Sequence, residues 1–280
     1  MGSTKTDISR LPFCIIDRCL SLKSRFKSLK SNSKSCQLMF AIFNKEINAF
    51  FSSLMAYIVM TVFLTTIGLL LWVFPDTNVL NYGYADLGTF FGVTPFVLLF
   101  LIPAITMRAI AEEVKNGTIE LLLTKPLSNW GLILGKFLGN WLLVFITLLP
   151  TLLYFYTVYQ LGNPVGNIDT AAVFGSYIGL LLLSAVFVAV GLWTSSLTDN
   201  QIVAFVLGVF VCYLLFAGLG AVAQLDFWGV LAYPISWVSL DAQYANLGRG
   251  LVDSRNVIYL LSIALLFLWL AQGRVGSKRK

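Results

Sequence analysis

The 280-residue chain is 58% hydrophobic and has a formal charge of +6, but only 11% of its residues are charged. Soluble domains usually carry about 25% charged residues, so the composition excludes an ordinary soluble protein and indicates an integral membrane protein. The chain contains no histidine, which removes the usual general base near neutral pH and the commonest metal ligand.

The chain opens with a basic, serine-rich stretch that covers residues 1–38. Its apolar patches, such as LPFCII, are too short to form the hydrophobic region of a signal peptide. We therefore expect an N-terminal extension that is poorly ordered. It precedes a membrane domain at residues 39–273, and a short basic tail follows at residues 274–280.

Residues 40–54 predict an amphipathic helix before the first span. Apolar side chains recur at helical spacing and polar side chains lie off that stripe, so we expect the helix to lie on the inner membrane surface. A simple extension of the first span is the alternative. The residues that define this helix are Phe43, Lys45, Glu46, Ile47 and Phe50.

Six uncharged stretches are long enough to cross a bilayer core, which takes about 20 residues of helix. They are continuously apolar, whereas the strands of a membrane barrel alternate between apolar and polar residues. The sequence therefore predicts an all-α integral membrane protein. Its predicted spans cover residues 54–74, 89–107, 137–159, 172–193, 201–223 and 257–272.

Lysine and arginine are concentrated at the chain ends and in the connection between spans 2 and 3. The 1–2 and 3–4 connections contain neither residue. Because cytoplasmic connections carry the excess of basic residues, both termini and the 2–3 connection are predicted to be cytoplasmic. Basic residues that flank apolar spans set membrane orientation, so no nucleic-acid partner is predicted.

The 2–3 connection contains EEVKNGTIELLLTKPLSNW, which begins at Glu112 and Glu113 and covers residues 112–130. Its residues 112–128 are named the charged segment. Asn116-Gly117 signals the end of a helix that extends span 2 into the cytoplasm. Thr118 can cap a second, short helix, with Glu120 favourable in its first turn. The apolar face of that helix includes Leu122 and Leu123. Two interpretations stay open: a docking surface for a cytoplasmic partner or an inert amphipathic loop on the membrane.

Residues 227–240, FWGVLAYPISWVSL, form a second unusual segment. They are uncharged but too few to cross a bilayer, and Pro234 interrupts them. The segment predicts a re-entrant or interfacial pair of helices, with Trp228 and Trp237 at the level of the lipid headgroups. An ordinary apolar outer loop is the alternative.

The central parts of the six spans contain no Asp, Glu, Lys, Arg or His, so the energy for any transport is predicted to come from outside the chain. GLILGK, at residues 131–136, lacks the spacing and the Ser or Thr of a phosphate-binding loop. We therefore predict no ATPase site, no catalytic residue and no metal site. A possible pathway for an amphipathic or lipid-linked substrate is lined by Asn140, Thr147, Thr151 and Tyr154.

Residues 103–143 contain EE, GTIELLL and Pro126 in an order that resembles permease subunits of the ABC-2 exporter class. Four flanking motifs narrow the resemblance to one group of ABC-2 permeases. These motifs are NKEINAFFSSLMAYIV, VFPDTNVLNYGYADL, YQLGNPVGNIDT and SSLTDNQIVAF. They are similar to the permeases of the gliding-motility-associated ABC transporters of Bacteroidetes. The resemblance covers about residues 39–273.

The resemblance implies an ABC-2, type V exporter-like fold in the bacterial inner membrane. It has a connecting helix before span 1, a cytoplasmic coupling helix between spans 2 and 3, and re-entrant helices before span 6. The coupling helix would seat on a separate ATP-binding cassette ATPase, which holds ATP and Mg, while this chain binds no cofactor. Its coupling residues here would be Glu112, Glu113, Gly117, Thr118, Glu120, Leu122 and Leu123.

A second permease chain, identical or not, would complete the pathway within the lipid bilayer. Two rival functions remain: a non-transporting scaffold of a motility or secretion assembly, and a passive channel. Either rival predicts that ATP turnover by the ATPase does not respond to the coupling residues.

Overall fold

A computed structural model of the protein describes residues 39–82, 85–117, 129–223, 237–248 and 253–277. Over these residues the regular structure is helical and contains no strand. Six of the helices are long and apolar enough to cross a membrane. The predicted fold class, an all-α membrane protein with six spans, is therefore confirmed.

Helix α1 covers residues 39–52, and a short helix, α7, precedes the last span. The six long helices lie where the sequence predicts spans, but most extend beyond the apolar core. The bounds are α2 Leu54–Trp72, α3 Gly88–Lys115, α4 Asn129–Leu161, α5 Thr170–Leu197, α6 Gln201–Ala223, α7 Leu240–Leu247 and α8 Ser254–Ser277. A 3-10 turn lies within α4 and a π turn lies within α6.

Polar side chains and glycine fix several helix ends. Asp169 accepts hydrogen bonds from the backbone of Ala171 and Ala172 and so caps the start of α5. Asn200 caps α6 in the same way. Gly117 has a φ of 67° directly after α3, a backbone conformation that glycine adopts without strain. The helix end predicted at Asn116-Gly117 is therefore confirmed.

Helix α5 lies at the centre of the bundle and packs against α3, α4, α6, α7 and α8. Close approach of α5 to α3 requires a glycine, because a Cβ at Gly191 would overlap the Thr106 hydroxyl. Helices α2, α6 and α8 each expose an apolar face, represented by Ile58, Val206 and Leu265. These faces suit contact with lipid, because lipid tails are as apolar as the side chains and their contact carries no hydrophobic cost.

Candidate functional site

A buried ion cluster joins three helices at the end of the bundle where α3 finishes and α4 begins. The ammonium Nζ of Lys136, in α4, lies 2.8 Å from Glu46 Oε1 in α1 and 2.9 Å from Glu113 Oε2 in α3. It also donates to the Ala109 carbonyl of α3 at 2.6 Å. The ammonium therefore donates hydrogen bonds to Glu46 and to the Ala109 carbonyl and forms an ion pair with Glu113, which brings together groups of two neighbouring helices.

The cluster is balanced in charge. Lys136 is 2% exposed, and a lysine this deeply buried is tolerated only when it is paired. Two carboxylates face it, and the second cation is Lys45, whose Nζ lies 3.2 Å from Glu113 Oε1. Because the Lys45 side chain is 58% exposed, solvent screens its contribution, and the Lys136 contacts dominate the cluster.

Two glycines of α4 allow α1 to come close enough to form the cluster. A Cβ at Gly135 would lie 3.0 Å from Ile42 Cγ2, and a Cβ at Gly139 would lie 2.9 Å from Glu46 Cβ. Both glycines therefore serve packing between helices. Sequence reasoning considered GLILGK only as a phosphate-binding loop. The signal that sequence reasoning missed was the pair Gly135 and Gly139, a small-xxx-small motif beside Lys136.

The structure contains the predicted helix before span 1, and a second face of this helix, which the sequence did not indicate, packs on the bundle. Ser53 has extended backbone between α1 and α2, so α1 is not an extension of span 1. Ile42 and Glu46 are buried, whereas Ile47 and Phe50 of the predicted stripe are only partly covered. The reason is electrostatic: Glu46 is drawn inward by Lys136, a partner that helical periodicity cannot reveal.

A serine hydroxyl connects the same end of α3 to the central helix α5. Ser195 Oγ accepts hydrogen bonds from the backbone N–H groups of Ile110 and Ala111, both at 3.1 Å, and donates to the Met107 carbonyl at 3.0 Å. The hydroxyl thus uses its one donor hydrogen and both of its acceptor lone pairs. The last two turns of α3 are therefore tied by polar bonds to α1, α4 and α5.

A cleft of about 360 Å³ lies beside the ion cluster, between α1 and the end of α3. Its lining includes both lysines and both carboxylates of the cluster, together with Arg108 and Glu112. Glu112 is half-buried and faces the cleft, one residue away from the Glu113 carboxylate that points to Lys136. The cleft thus combines an apolar wall with charges of both signs.

The predicted coupling residues divide into two groups. Glu112, Glu113 and Gly117 lie at the end of α3, whereas Thr118, Glu120, Leu122 and Leu123 lie outside the described residues. The Glu113 side chain is only 13% exposed and is held between Lys45 and Lys136. Its carboxylate therefore stabilises the cluster, whereas Glu112 lines the cleft beside it.

The predicted pathway residues share one face of α4. Asn140, Thr147 and Thr151 are fully buried, and Tyr154 is half-buried. The hydroxyls of Thr147 and Thr151 donate to carbonyls of α4, and Thr151 also meets the Tyr177 hydroxyl of α5 at 3.1 Å. The Tyr154 hydroxyl donates to the Leu64 carbonyl of α2 at 3.4 Å. A pathway along this face stays a prediction.

Of the predicted re-entrant residues, Trp228 and Pro234 lie outside the described residues. Trp237 is described, and its side chain is 51% exposed. Its carbonyl accepts a hydrogen bond from Gln243 Nε2 at 2.8 Å, which anchors the chain just before α7. A re-entrant arrangement of residues 227–240 therefore stays a prediction.

Comparison with known proteins identified one family model, whose description is "ABC-2 family transporter protein". It matches residues 15–240 of the chain. No curated protein matches the chain. The matched range begins inside the predicted N-terminal extension and includes every residue of the ion cluster, from Lys45 to Lys136.

Proposed function

The chain belongs to the ABC-2 family of transporter proteins, and from this premise we propose that it is the permease subunit of an ATP-driven transporter. A separate ATP-binding cassette subunit binds ATP and Mg and hydrolyses the nucleotide. This chain, which has no ATPase site of its own in the proposal, converts the closure of that subunit into movement of its spans.

The observation that carries the proposal is the ion cluster around Lys136. It lies directly behind the end of α3, where the charged segment 112–128 begins, and it links α1, α3 and α4. A force applied to this segment would move three helices together, because separating them would leave buried charges unpaired. A passive connection between two spans has no need of such a linkage.

The Ser195 contacts extend the same linkage to the centre of the bundle. They join the last turns of α3 to α5, which packs on most of the other helices. Interfaces between packed helices have discrete arrangements and do not deform continuously. Displacement at residues 112–128 would therefore reach the membrane spans.

The finer parts of the proposal rest on the sequence motifs and the charge pattern. Lysine and arginine counts support cytoplasmic termini and a cytoplasmic 112–128 segment. The motif resemblance supports an exporter of the inner membrane, linked to gliding motility and completed by a second permease chain. The polar residue types at Asn140, Thr147 and Thr151 of α4 are the sequence basis for proposing an amphipathic or lipid-linked substrate.

The test measures ATP turnover by the ATPase subunit that co-purifies with this chain, after reconstitution of the complex in lipid. Glu112→Ala combined with Glu120→Ala removes acidic groups of the charged segment and leaves the Lys136 cluster intact. We expect ATP turnover to lose its response to the permease. Asp253→Ala, at the start of α8, is the matched control and should leave the response unchanged.

The rival functions predict a different result. For a scaffold or a passive channel, the Glu112→Ala, Glu120→Ala complex would hydrolyse ATP at the same rate as the unmodified complex. That result, obtained with a complex that still assembles, would contradict the proposed function.

A further inference from the structure

A second cleft, of about 330 Å³, lies at the opposite end of the bundle from the ion cluster. It is formed where α3 and α5 begin and where α7 packs on them. Phe91 lines this cleft, and Glu113 follows it by 22 residues on the same helix, which corresponds to about 33 Å at 1.5 Å per residue. The two clefts therefore face opposite sides of the membrane domain.

The lining of this cleft combines carboxylates with aromatic rings. Three carboxylates are exposed around it, and none of the described lining residues is lysine or arginine. Carboxylates attract a cation, and the faces of aromatic rings add a cation–π attraction when the cation is organic. The acidic residues are Asp86, Asp169 and Asp241, and the aromatic residues are Phe91, Phe216 and Tyr244.

The aromatic rings are held in fixed positions. Tyr244 donates its hydroxyl hydrogen to the Phe91 carbonyl at 2.9 Å, and its ring lies against Gly179, where a Cβ would approach to 3.1 Å. The Phe91 ring meets the Tyr177 ring edge-on, with centroids 5.2 Å apart. A rigid lining of this kind lowers the entropy cost of binding.

One serine hydroxyl in the cleft has no protein partner. Ser176 lines the cleft and the residue is 4% exposed, yet its hydroxyl forms no hydrogen bond with any described residue. Its oxygen is not among the fully enclosed polar atoms that lack a partner within the described ranges, so it is open to the cleft. Buried hydroxyls normally find a partner. The nine other buried serine and threonine hydroxyls of the described chain all do: Thr94, Thr106, Thr147, Thr151, Ser184, Thr194, Ser195, Ser196 and Ser239.

We propose that this cleft binds an organic ammonium group, with Asp169 and Asp241 as counter-ions, the rings of Phe91 and Tyr244 as walls, and Ser176 as a hydrogen-bonding partner. A bare metal ion fits less well, since no three acidic, histidine or cysteine side chains within the described ranges converge closely enough to hold one. Asp169 Oδ1 is occupied by the backbone of α5, which leaves Oδ2 for the ligand.

The environment of the Asp241 carboxyl is consistent with its proposed role as a counter-ion for the ammonium group. Partial burial raises the pKa of its carboxyl above the ordinary value, because desolvation disfavours the charged form. A cation in the cleft would restore the favourable environment of the carboxylate.

Two kinds of ligand carry an organic ammonium group: an aminophospholipid, in its headgroup, and a water-soluble amine. The inference goes beyond the proposed function, because binding at this cleft requires neither the ATPase subunit nor transport. It is tested on the isolated full-length chain, so its failure leaves the coupling proposal untouched.

The experiment uses the purified chain in an uncharged detergent and native mass spectrometry. Phosphatidylethanolamine or phosphatidylglycerol with identical acyl chains is added, and free ethanolamine is then added as a competitor. We expect phosphatidylethanolamine to be retained at least about fivefold better, in line with a cation–π and charge contribution of about 1 kcal/mol. Displacement by ethanolamine at millimolar concentration would identify a soluble amine as the ligand, and resistance to it would identify the lipid.

Three variants test whether lipid retention depends on the residues of this cleft. Asp169→Asn with Asp241→Asn removes both charges, and asparagine retains the ability to cap α5. We expect this variant to lose the preference, and Ser176→Ala to weaken it with the fold intact. Asp253→Asn, another acid at a helix start but outside the cleft lining, should retain it.

Equal retention of the two lipids together with no effect of ethanolamine would overturn the proposal. So would a preference that survives the double asparagine substitution. If that double variant does not fold, the Ser176→Ala result decides the matter.

Discussion

The Lys136 ammonium lies 2.8 Å from the Glu46 carboxylate, although 90 residues separate the two in the chain. This ion pair fixes α1 against the start of α4, with Glu113 of α3 as the third member. Helix α1 is therefore an integral part of the bundle as well as an amphipathic helix with an exposed apolar edge. Any movement of α3 or α4 must carry α1 with it or break the pair.

Lys136→Met is expected to destabilise the protein strongly. It leaves the Glu46 and Glu113 carboxylates facing each other in a buried site, and breaking a buried pair by removing one partner costs about 3–5 kcal/mol. The melting temperature of the purified protein in detergent measures the effect. An unchanged melting temperature would contradict the assignment of Lys136 as the centre of the cluster.

Two controls separate charge from packing in that experiment. Lys45→Ala removes the exposed cation and should cost less than about 1 kcal/mol. The triple variant Glu46→Gln, Glu113→Gln, Lys136→Met removes all the buried charge and should recover much of the lost stability.

Gly139→Ala is expected to push α1 away from α4. The added Cβ would lie 2.9 Å from Glu46 Cβ, which is close to the backbone of α1 and cannot swing aside. Overpacking of this kind costs about 1–3 kcal/mol. Gly273→Ala in α8 is the matched control, because nothing lies within 4 Å of its Cβ position, and it should be neutral or gain up to about 1 kcal/mol.

Ser195→Ala is expected to loosen the end of α3 from α5. It removes one hydroxyl that serves two N–H groups and one carbonyl of α3, at a cost of about 1–3 kcal/mol. Ser196→Ala is the control, since that hydroxyl bonds only to the Trp193 carbonyl of its own helix. Hydrogen exchange of the Ile110 and Ala111 amides should rise in the first variant and stay constant in the second.

The spans were predictable from sequence because the bilayer imposes a simple rule. About 20 apolar residues are needed to cross it as a helix, and each of the six stretches that meet this length forms a helix. The end of α3 at Gly117 was also predictable, because glycine there allows the left-handed backbone that closes the helix. Both signals are local in the chain.

The ion cluster was not predictable in the same way. Lys136 lies at the edge of an apolar run, and a hydropathy argument places such a charge in a loop. Its burial depends on Glu46 and Glu113, which approach only after α1, α3 and α4 have packed. For the same reason the sequence predicts Glu113 only as a coupling residue, whereas its carboxylate is turned inward to Lys136.

The predicted cytoplasmic position of the 112–128 segment leads to a labelling experiment. In a variant whose native cysteines are replaced by alanine, Lys115→Cys places an exposed thiol at the end of α3, and Val165→Cys places one in the connection between α4 and α5. In intact spheroplasts, a membrane-impermeant maleimide should label the residue-165 thiol and not the residue-115 thiol. The opposite result would invert the orientation and remove contact with a cytoplasmic ATPase.

A proline in α3 explains the hydrogen bond made by Tyr244. Pro95 has no N–H, so the carbonyl of Phe91, four residues earlier, has no helical donor. The Tyr244 hydroxyl supplies the missing donor at 2.9 Å and fastens α7 to α3. An unsatisfied carbonyl within a membrane protein is costly, which makes this contact a structural requirement of the proline.

Tyr244→Phe is therefore expected to destabilise the protein by about 1–3 kcal/mol, the cost of leaving one buried acceptor unsatisfied. In a Pro95→Ala background the alanine N–H can donate to the Phe91 carbonyl, so the same substitution should cost markedly less. A double-mutant cycle on the free energy of unfolding in detergent measures this coupling. Equal costs in the two backgrounds would show that Tyr244 stabilises α7 by packing alone, and that the carbonyl released by Pro95 is satisfied in another way.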